Sequence, residues 1–225
     1  MVINEIFYSI QGEGFLAGFP SVFIRIAGCP LRCQWCDTKY AWDPGAGVDL
    51  SIAQIIDKVG QWDCRFAVIT GGEPMTNPQL PELASALKKI GKHITIETAG
   101  VKFVPDVACD LMSISPKTSN FGIKKVPARP ERSRRDTFFA AKELIGHYPY
   151  QLKFVVDSTD DLSEIQKTLG QIGNVNPEKV MLMPQAKTRE ELIAKSPMVA
   201  ELCKQAGFAF CNRLQIQLWD GRRGV

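Results

Sequence analysis

Three cysteines, Cys29, Cys33 and Cys36, stand within eight residues as C-x3-C-x2-C, while Cys64, Cys109, Cys203 and Cys211 are scattered along the chain. Thiolates this closely spaced can share one centre if that centre is a metal ion or a cluster. A structural zinc takes four ligands. The two histidines, His93 and His147, lie far from the trio, and no second pair has zinc-ribbon spacing, so zinc would have to borrow one of the scattered cysteines. A 4Fe–4S cluster ordinarily takes four cysteines. Held by three, it leaves one iron with an open position where a substrate or cosubstrate can bind. The count of seven cysteines is odd, which argues against a disulfide framework.

Other polar motifs have chemistry of their own. Thr70-Gly71-Gly72-Glu73-Pro74 follows the β-rich run RFAVIT. Its glycines permit close backbone approach to a ligand, and Glu73 is an acceptor suited to an ammonium group. A plain glycine turn with a helix-starting glutamate is the competing reading. Ser115-Pro116-Lys117 ends the run DLMSIS and sets hydroxyl and ammonium donors at a strand end, although Ser-Pro alone marks a turn. Glu97 and Thr98 end the preceding run, and both can face the same cavity. Arg25 sits between Ile24 and Ile26, where a charged residue is expected to have a specific partner. Its guanidinium is a two-pronged fork for a carboxylate.

The elements that must position these groups alternate. Strands are expected at Ser21–Ala27, Arg65–Thr70, His93–Thr98, Asp110–Ser115, Gln151–Val156, Val180–Pro184 and Arg213–Leu218, with a short one at Ile3–Tyr8. Several are continuously apolar, as in a parallel sheet covered on both faces. Helices are expected at Ser51–Gly60, at Pro81–Ile90, and around Leu162, Ile165 and Leu169. Residues 188–207 read as two helices, because Ser196-Pro197 resembles a fresh cap with proline at the first helical position. This order indicates an α/β architecture with right-handed crossovers. A full eight-fold barrel takes about 250 residues. The 225 residues here, with loop-rich stretches at 37–50 and 116–135, predict an incomplete TIM-like barrel in one domain spanning 1–225. The run RFAVIT then delivers Gly72 and Glu73 to the rim where barrel active sites gather.

Composition is that of an ordinary globular chain, 45% hydrophobic and 23% charged, and it excludes a disordered or collagen-like protein. No apolar run approaches the roughly 18–20 residues that cross a bilayer. The start, Met1 to Glu5, lacks the pattern of a signal peptide, so a cytoplasmic location is expected. Net charge is +3, too small to imply nucleic acid. Residues 117–135, however, hold seven Lys/Arg against Glu131. A solvated loop is the plain reading of such a run. Two roles stay open for Lys124–Arg135: a lid, or a docking surface for a small acidic electron donor such as flavodoxin.

With tryptophan before its last cysteine, the trio resembles the signature of radical S-adenosylmethionine enzymes, and Gly71-Gly72-Glu73-Pro74 resembles their second motif. Gln11-Gly12-Glu13-Gly14, Phe23-Ile24-Arg25, Cys36-Asp37-Thr38, Glu97 to Gly100, Ser115-Pro116-Lys117 and Leu218-Trp219-Asp220-Gly221 occur in the order found in the 7-carboxy-7-deazaguanine synthase family. The resemblance spans most of the chain and is least specific after residue 118. It implies a partial barrel of the radical type and a 4Fe–4S cluster on Cys29, Cys33 and Cys36. S-adenosylmethionine would chelate the open iron beside Trp35, Cys36, Asp37, Gly72, Glu73, Ser115, Pro116 and Lys117. The implied reaction is ring contraction of 6-carboxy-5,6,7,8-tetrahydropterin to 7-carboxy-7-deazaguanine with loss of ammonia, feeding queuosine and other 7-deazapurines. The chemistry would belong to the cluster and the adenosyl radical, with no side chain as catalyst. Ile10, Gln11, Gly12, Arg25 and Thr70 would hold the substrate, and Thr38 would contact Mg²⁺. A homodimer is implied, with neither membrane nor direct nucleic-acid contact. The tail Arg222 to Val225 is a further candidate for the guanidine-like edge of the pterin. Two other readings share part of the pattern: an activase that makes a glycyl radical on a partner protein, and a zinc- or cluster-stabilised binding module.

Overall fold

In the computed structural model, residues 1–122 and 132–225 are described, apart from the side chains of 132–137. The chain opens with a hairpin, β1 (Val2–Ile10) and β2 (Pro20–Ile26), followed by β3 (Val48–Asp49). Strand–helix units follow: α1 (Ile52–Val59), β4 (Phe66–Gly71), α2 (Leu80–Lys89), β5 (His93–Thr98) and β6 (Leu111–Ile114). The second half contains α3 (Arg132–His147), β7 (Tyr150–Val156), α4 (Asp161–Ile172), β8 (Val180–Pro184), α5 (Arg189–Ala206), β9 (Ala209–Phe210) and α6 (Leu214–Trp219).

The strands form one sheet in the order β3-β1-β2-β4-β5-β6-β7-β8-β9. β2 and β4 to β9 run parallel, and β1 pairs antiparallel with both β2 and β3. The two end strands do not pair, so the barrel is incomplete, as the length predicts. It is nevertheless strongly curled. β1 and β9 stand seven steps apart, which in a flat sheet is about 34 Å at roughly 4.8 Å per strand. Yet Glu13, just after β1, touches Arg213, just after β9, at 3.1 Å.

The parallel strands alternate between two buried faces. Val22, Ile24, Ile26, Ile69, Ile94, Ile96, Met112, Ile114, Leu152, Phe154 and Leu182 pack in the main core with the helices' apolar stripes. The opposite face carries Arg25, Thr70, Glu97, Ser113 and Lys153 toward a cavity. One side of each strand therefore contributes stability and the other chemistry.

Helix α1 matches expectation: Ser51 caps it and Gln54 reciprocates, which satisfies two amide donors at its start. Three expectations fail, the third in part. Where two helices are expected over 188–207 there is one, α5, with Pro197 inside it. Pro197 leaves the carbonyl of Ile193 without its helical donor. Ile193 is on the exposed side of the helix, where water can serve that carbonyl. Ser196 Oγ also bonds the Leu192 carbonyl at 2.6 Å, so this turn is reinforced. The expected strand Arg213–Leu218 is helix α6. Its alternation of Leu214, Ile216 and Leu218 has only Ile216 buried, so no two-sided burial supports a strand. Of the expected 116–135 loop, residues 132–135 begin α3. The rest of the basic segment Lys124–Arg135, residues 124–131, lies outside the described residues. No helix among the described residues is long and apolar enough to cross a membrane.

Candidate active site

A cavity of about 640 Å³ opens at the C-terminal ends of the parallel strands. Cys29, Cys33 and Cys36 line it, in the loop after β2, while the remaining four cysteines and both histidines do not. Backbone bonds fix this loop: Gly28 and Cys29 N–H donate to the carbonyls of Ala41 and Trp42, and Glu73 N–H donates to the carbonyl of Gly28 at 2.9 Å. Gly72 has to be glycine, because a Cβ there would lie 2.1 Å from the Gly28 carbonyl oxygen. The Gly-Gly-Glu turn and the cysteine loop are thus pressed together backbone to backbone.

The donor set suits a cluster. All three cysteines are free thiols. Burial pushes the Cys29 thiol up to about 11 and raises Cys33 as well, so both give up protons on taking iron. Thr38 N–H already points at Cys36 Sγ, 3.4 Å away, the type of hydrogen bond that tunes cluster sulfurs. A zinc ion needs its ligands converging to about 2.0–2.3 Å from one point. Among the described residues, no three His, Cys, Asp or Glu side chains are gathered that way. Ligands of a cubane bind separate irons and need no such convergence.

The residues expected around this centre line the same cavity: Ile10, Gln11, Gly12, Arg25, Trp35, Asp37, Thr38, Thr70, Gly72, Glu73, Ser115 and Lys117. Pro116 does not line it and is buried behind its neighbours. Lys117 Nζ donates to Ser115 Oγ at 2.9 Å and stands 5.7 Å from the Trp35 ring centre. Trp35 Nε1 is anchored on the Asn120 carbonyl.

Glu73 starts a helical turn, as the plain reading of its motif expects. It caps the 3-10 turn Pro74–Thr76 through Met75 N–H, and it accepts from Thr98 Oγ1 at 2.6 Å and Ala99 N–H at 2.7 Å. Burial raises its carboxyl despite these donors. Two carboxylate oxygens have about four acceptor sites, so room for an ammonium remains. The Gln11 amide is less free than expected: its Nε2 donates to Glu97 and its Oε1 accepts Glu13 N–H. Thr70 Oγ1 donates to the other Glu97 oxygen at 3.0 Å.

Arg25 has the specific partner that its flanking residues predict. Its Nε donates to Glu5 at 2.7 Å, and the rings of Phe7 and Tyr40 flank the guanidinium. Among the described residues its two terminal nitrogens make no hydrogen bond, which leaves the fork free for a carboxylate. Glu5 also accepts from Tyr40 and from Arg223 of the tail. Although burial opposes it, the two arginines hold the Glu5 carboxyl below the usual range. Gly221 to Val225 do reach the cavity wall.

Sequence reasoning missed a charged cluster in the wall. Lys153 is 4% exposed and pairs with Glu13 at 2.8 Å and Glu97 at 3.5 Å. Arg213 is 9% exposed and pairs with Glu13 and, at 2.6 Å, with Asp37. Gln215 also donates to Glu13. Despite its burial, Lys153 and Arg213 hold the Glu13 carboxyl far below its usual range. A lysine inside the apolar run QLKFVV was the available signal.

Comparison with known proteins agrees with this geometry. A family model described as the radical SAM superfamily matches residues 23–169. A 7-carboxy-7-deazaguanine synthase from Rhodopirellula baltica is 40% identical over all of this chain and 89% of that protein. One from Halobacterium salinarum is 36% identical, over 97% of this chain and 90% of the relative. The chain belongs to the 7-carboxy-7-deazaguanine synthase family of radical SAM enzymes. A crystal structure of QueE from Escherichia coli superposes with a TM-score of 0.68 at 25% identity, covering 93% of this chain and 92% of that one. Membership identifies the partial barrel as a radical SAM fold, with the cluster and S-adenosylmethionine that this family uses.

Proposed function

We propose that this chain converts 6-carboxy-5,6,7,8-tetrahydropterin to 7-carboxy-7-deazaguanine and ammonia, within the route to queuosine and related 7-deazapurines. The observation that carries the reading is the meeting, in one cavity, of three free cysteines with an arginine fork whose Nε alone is hydrogen-bonded among the described residues. When bound, the cluster and S-adenosylmethionine supply the radical that opens the reaction at carbon 6 of the pterin. The protein binds, orients and excludes water.

Cys29, Cys33 and Cys36 hold the cluster. Glu73 receives the methionine ammonium, Ser115 and Lys117 receive the ribose or carboxylate of the cosubstrate, and Trp35, Asp37 and Gly72 flank it. The terminal nitrogens of Arg25 take the substrate carboxylate, with Ile10, Gly12, Gln11 and Thr70 along the ring edge. Mg²⁺ sits at Thr38, whose hydroxyl oxygen keeps lone pairs while its hydrogen goes to Asp37. Since Mg²⁺ keeps most of its waters and is often held with substrate, one protein oxygen suffices there. The ion would orient and partly neutralise the carboxylate. The whole chain acts as one radical SAM core, as a homodimer, supplied with electrons by a small acidic donor.

The test is anaerobic reconstitution with iron and sulfide, then dithionite, S-adenosylmethionine, Mg²⁺ and the carboxypterin. Deazaguanine absorbance supports the proposal. Its absence, with a radical formed instead on an added partner protein, would favour an activase. One zinc per chain without iron would favour a binding module.

A further inference from the structure

The charged cluster in the cavity wall lies where the sheet fails to close. Glu13 follows β1, Asp37 follows the cysteine loop, and Arg213 lies beyond β9 at the far end of the strand order. A closed barrel would join these ends by strand pairing. Here one guanidinium spans the gap. Arg213 Nε meets Glu13 Oε1 at 3.1 Å, Nη2 meets Asp37 Oδ2 at 2.6 Å, and Nη1 is held by the Ala186 carbonyl. The five donors of arginine in a rigid plane suit such a three-way junction, which a single ammonium cannot span with the same geometry.

The contacts around it are close. Leu214 N–H donates to the Gly12 carbonyl at 3.0 Å. A Cβ on Gly12 would fall 1.8 Å from Gln215 Oε1. Residues 11–15 are therefore seated on the segment that carries Arg213. One arm of that residue reaches the loop assigned above to the substrate, and the other reaches the residue directly after the last cluster cysteine.

We propose that Arg213 is a positioning residue that fixes the substrate-side loop 11–15 against the cluster-side loop 36–38 across the open seam of the barrel. This inference rests on the reaction proposed above. Substrate and the sum of product and ammonia have the same atoms, so the conversion is redox-neutral and the adenosyl radical can regain its hydrogen. The 5′-deoxyadenosine released per product therefore reads the register between the two loops. When substrate and cosubstrate are out of register, electrons from the dithionite reduce the cosubstrate to methionine and 5′-deoxyadenosine, whose added hydrogen comes from solvent or buffer instead of the substrate, and no product forms.

The test compares wild type, Arg213→Met and Asp37→Asn as reconstituted enzymes matched for iron and sulfide, with dithionite as reductant. Arg213→Met leaves Glu13 with Lys153 and Gln215. Asp37→Asn alters a side chain that is 56% exposed, so folding is not the issue there. Both variants are expected to raise the ratio of 5′-deoxyadenosine to deazaguanine about tenfold or more, since misplacement by about an ångström costs rate on that scale. Hydrogen exchange on the same enzymes, without cosubstrate, supplies a readout apart from turnover. Arg213→Met is expected to speed exchange in 11–18 and 36–42 together, and Asp37→Asn in 36–42 alone. A fall in product and deoxyadenosine in constant proportion, or unchanged exchange in both loops of Arg213→Met, would overturn the inference. A wild-type enzyme that forms no deazaguanine would instead refute the reaction, and the exchange result would still decide whether the clasp exists.

Discussion

Replacing Arg25 with glutamine separates recognition of a carboxylate from the integrity of the fold. The Arg25 side chain is 15% exposed, and among the described residues only its Nε is hydrogen-bonded, to Glu5. After Arg25→Gln, Glu5 retains Arg223 at 2.9 Å and Tyr40 at 3.0 Å, so no buried carboxylate is stranded and the melting temperature is expected to change little. The ligand loses two charge-assisted hydrogen bonds. Each is worth about 1.5–3 kcal/mol, and contributions at one site add incompletely. A net loss of about 2–4 kcal/mol corresponds to a roughly 30- to 1,000-fold weaker dissociation constant. The assay is equilibrium binding of 7-carboxy-7-deazaguanine beside 7-deazaguanine, which lacks the carboxylate. The carboxylated ligand is expected to lose that factor and the other less than threefold, roughly 0.6 kcal/mol. Equal losses for both ligands would refute the assignment of the fork.

Three other outcomes follow from the same geometry. Lys153→Met, by leaving Glu97 and Glu13 short of a buried cation, is expected to cost about 3 kcal/mol in urea unfolding, with part recovered in the Lys153→Met/Glu97→Gln double variant. Gly72→Ala forces a methyl against the Gly28 carbonyl, so iron retained per chain after desalting is expected to fall while the far-UV circular dichroism is unchanged. The Glu13 carboxyl is held below its unfolded value of 4.5. Its stabilisation is complete above that pH and declines as pH falls below it. Glu13→Gln should therefore flatten the acid limb of the urea midpoint between about pH 5 and 3; an unaltered slope would exclude Glu13 as its source.

Much of this site was legible because chemistry and period coincide. Arg25, Thr70 and Glu97 are polar residues on otherwise apolar strands and are singled out for that reason, whereas Ser113 and Lys153, on the same cavity face, are passed over. His93–Thr98 and Val180–Pro184 have the boundaries expected of them. Helix α3 gave little warning: of its described residues only Ala140, Ala141 and Leu144 are buried, and Phe139 faces outward. Helix α6 is too short for a period of 3.6 to separate from a period of 2. Arg213 could not be located from the sequence because its role depends on the far ends of the sheet meeting, a consequence of curl that no local pattern encodes. The Gln11 amide appeared available for the same reason, since Glu97 approaches it only in three dimensions.

The incomplete barrel divides labour along the chain. The bay for the metal is built by residues 28–42 and 71–73, whereas part of the mouth is walled by residues 213–225. Substitutions in that stretch beyond Arg213 can therefore reshape which heterocycles are admitted while the cysteine bay is left alone. For redesign toward other carboxylated bicycles, the last dozen positions, 214–225, are the place to diversify first.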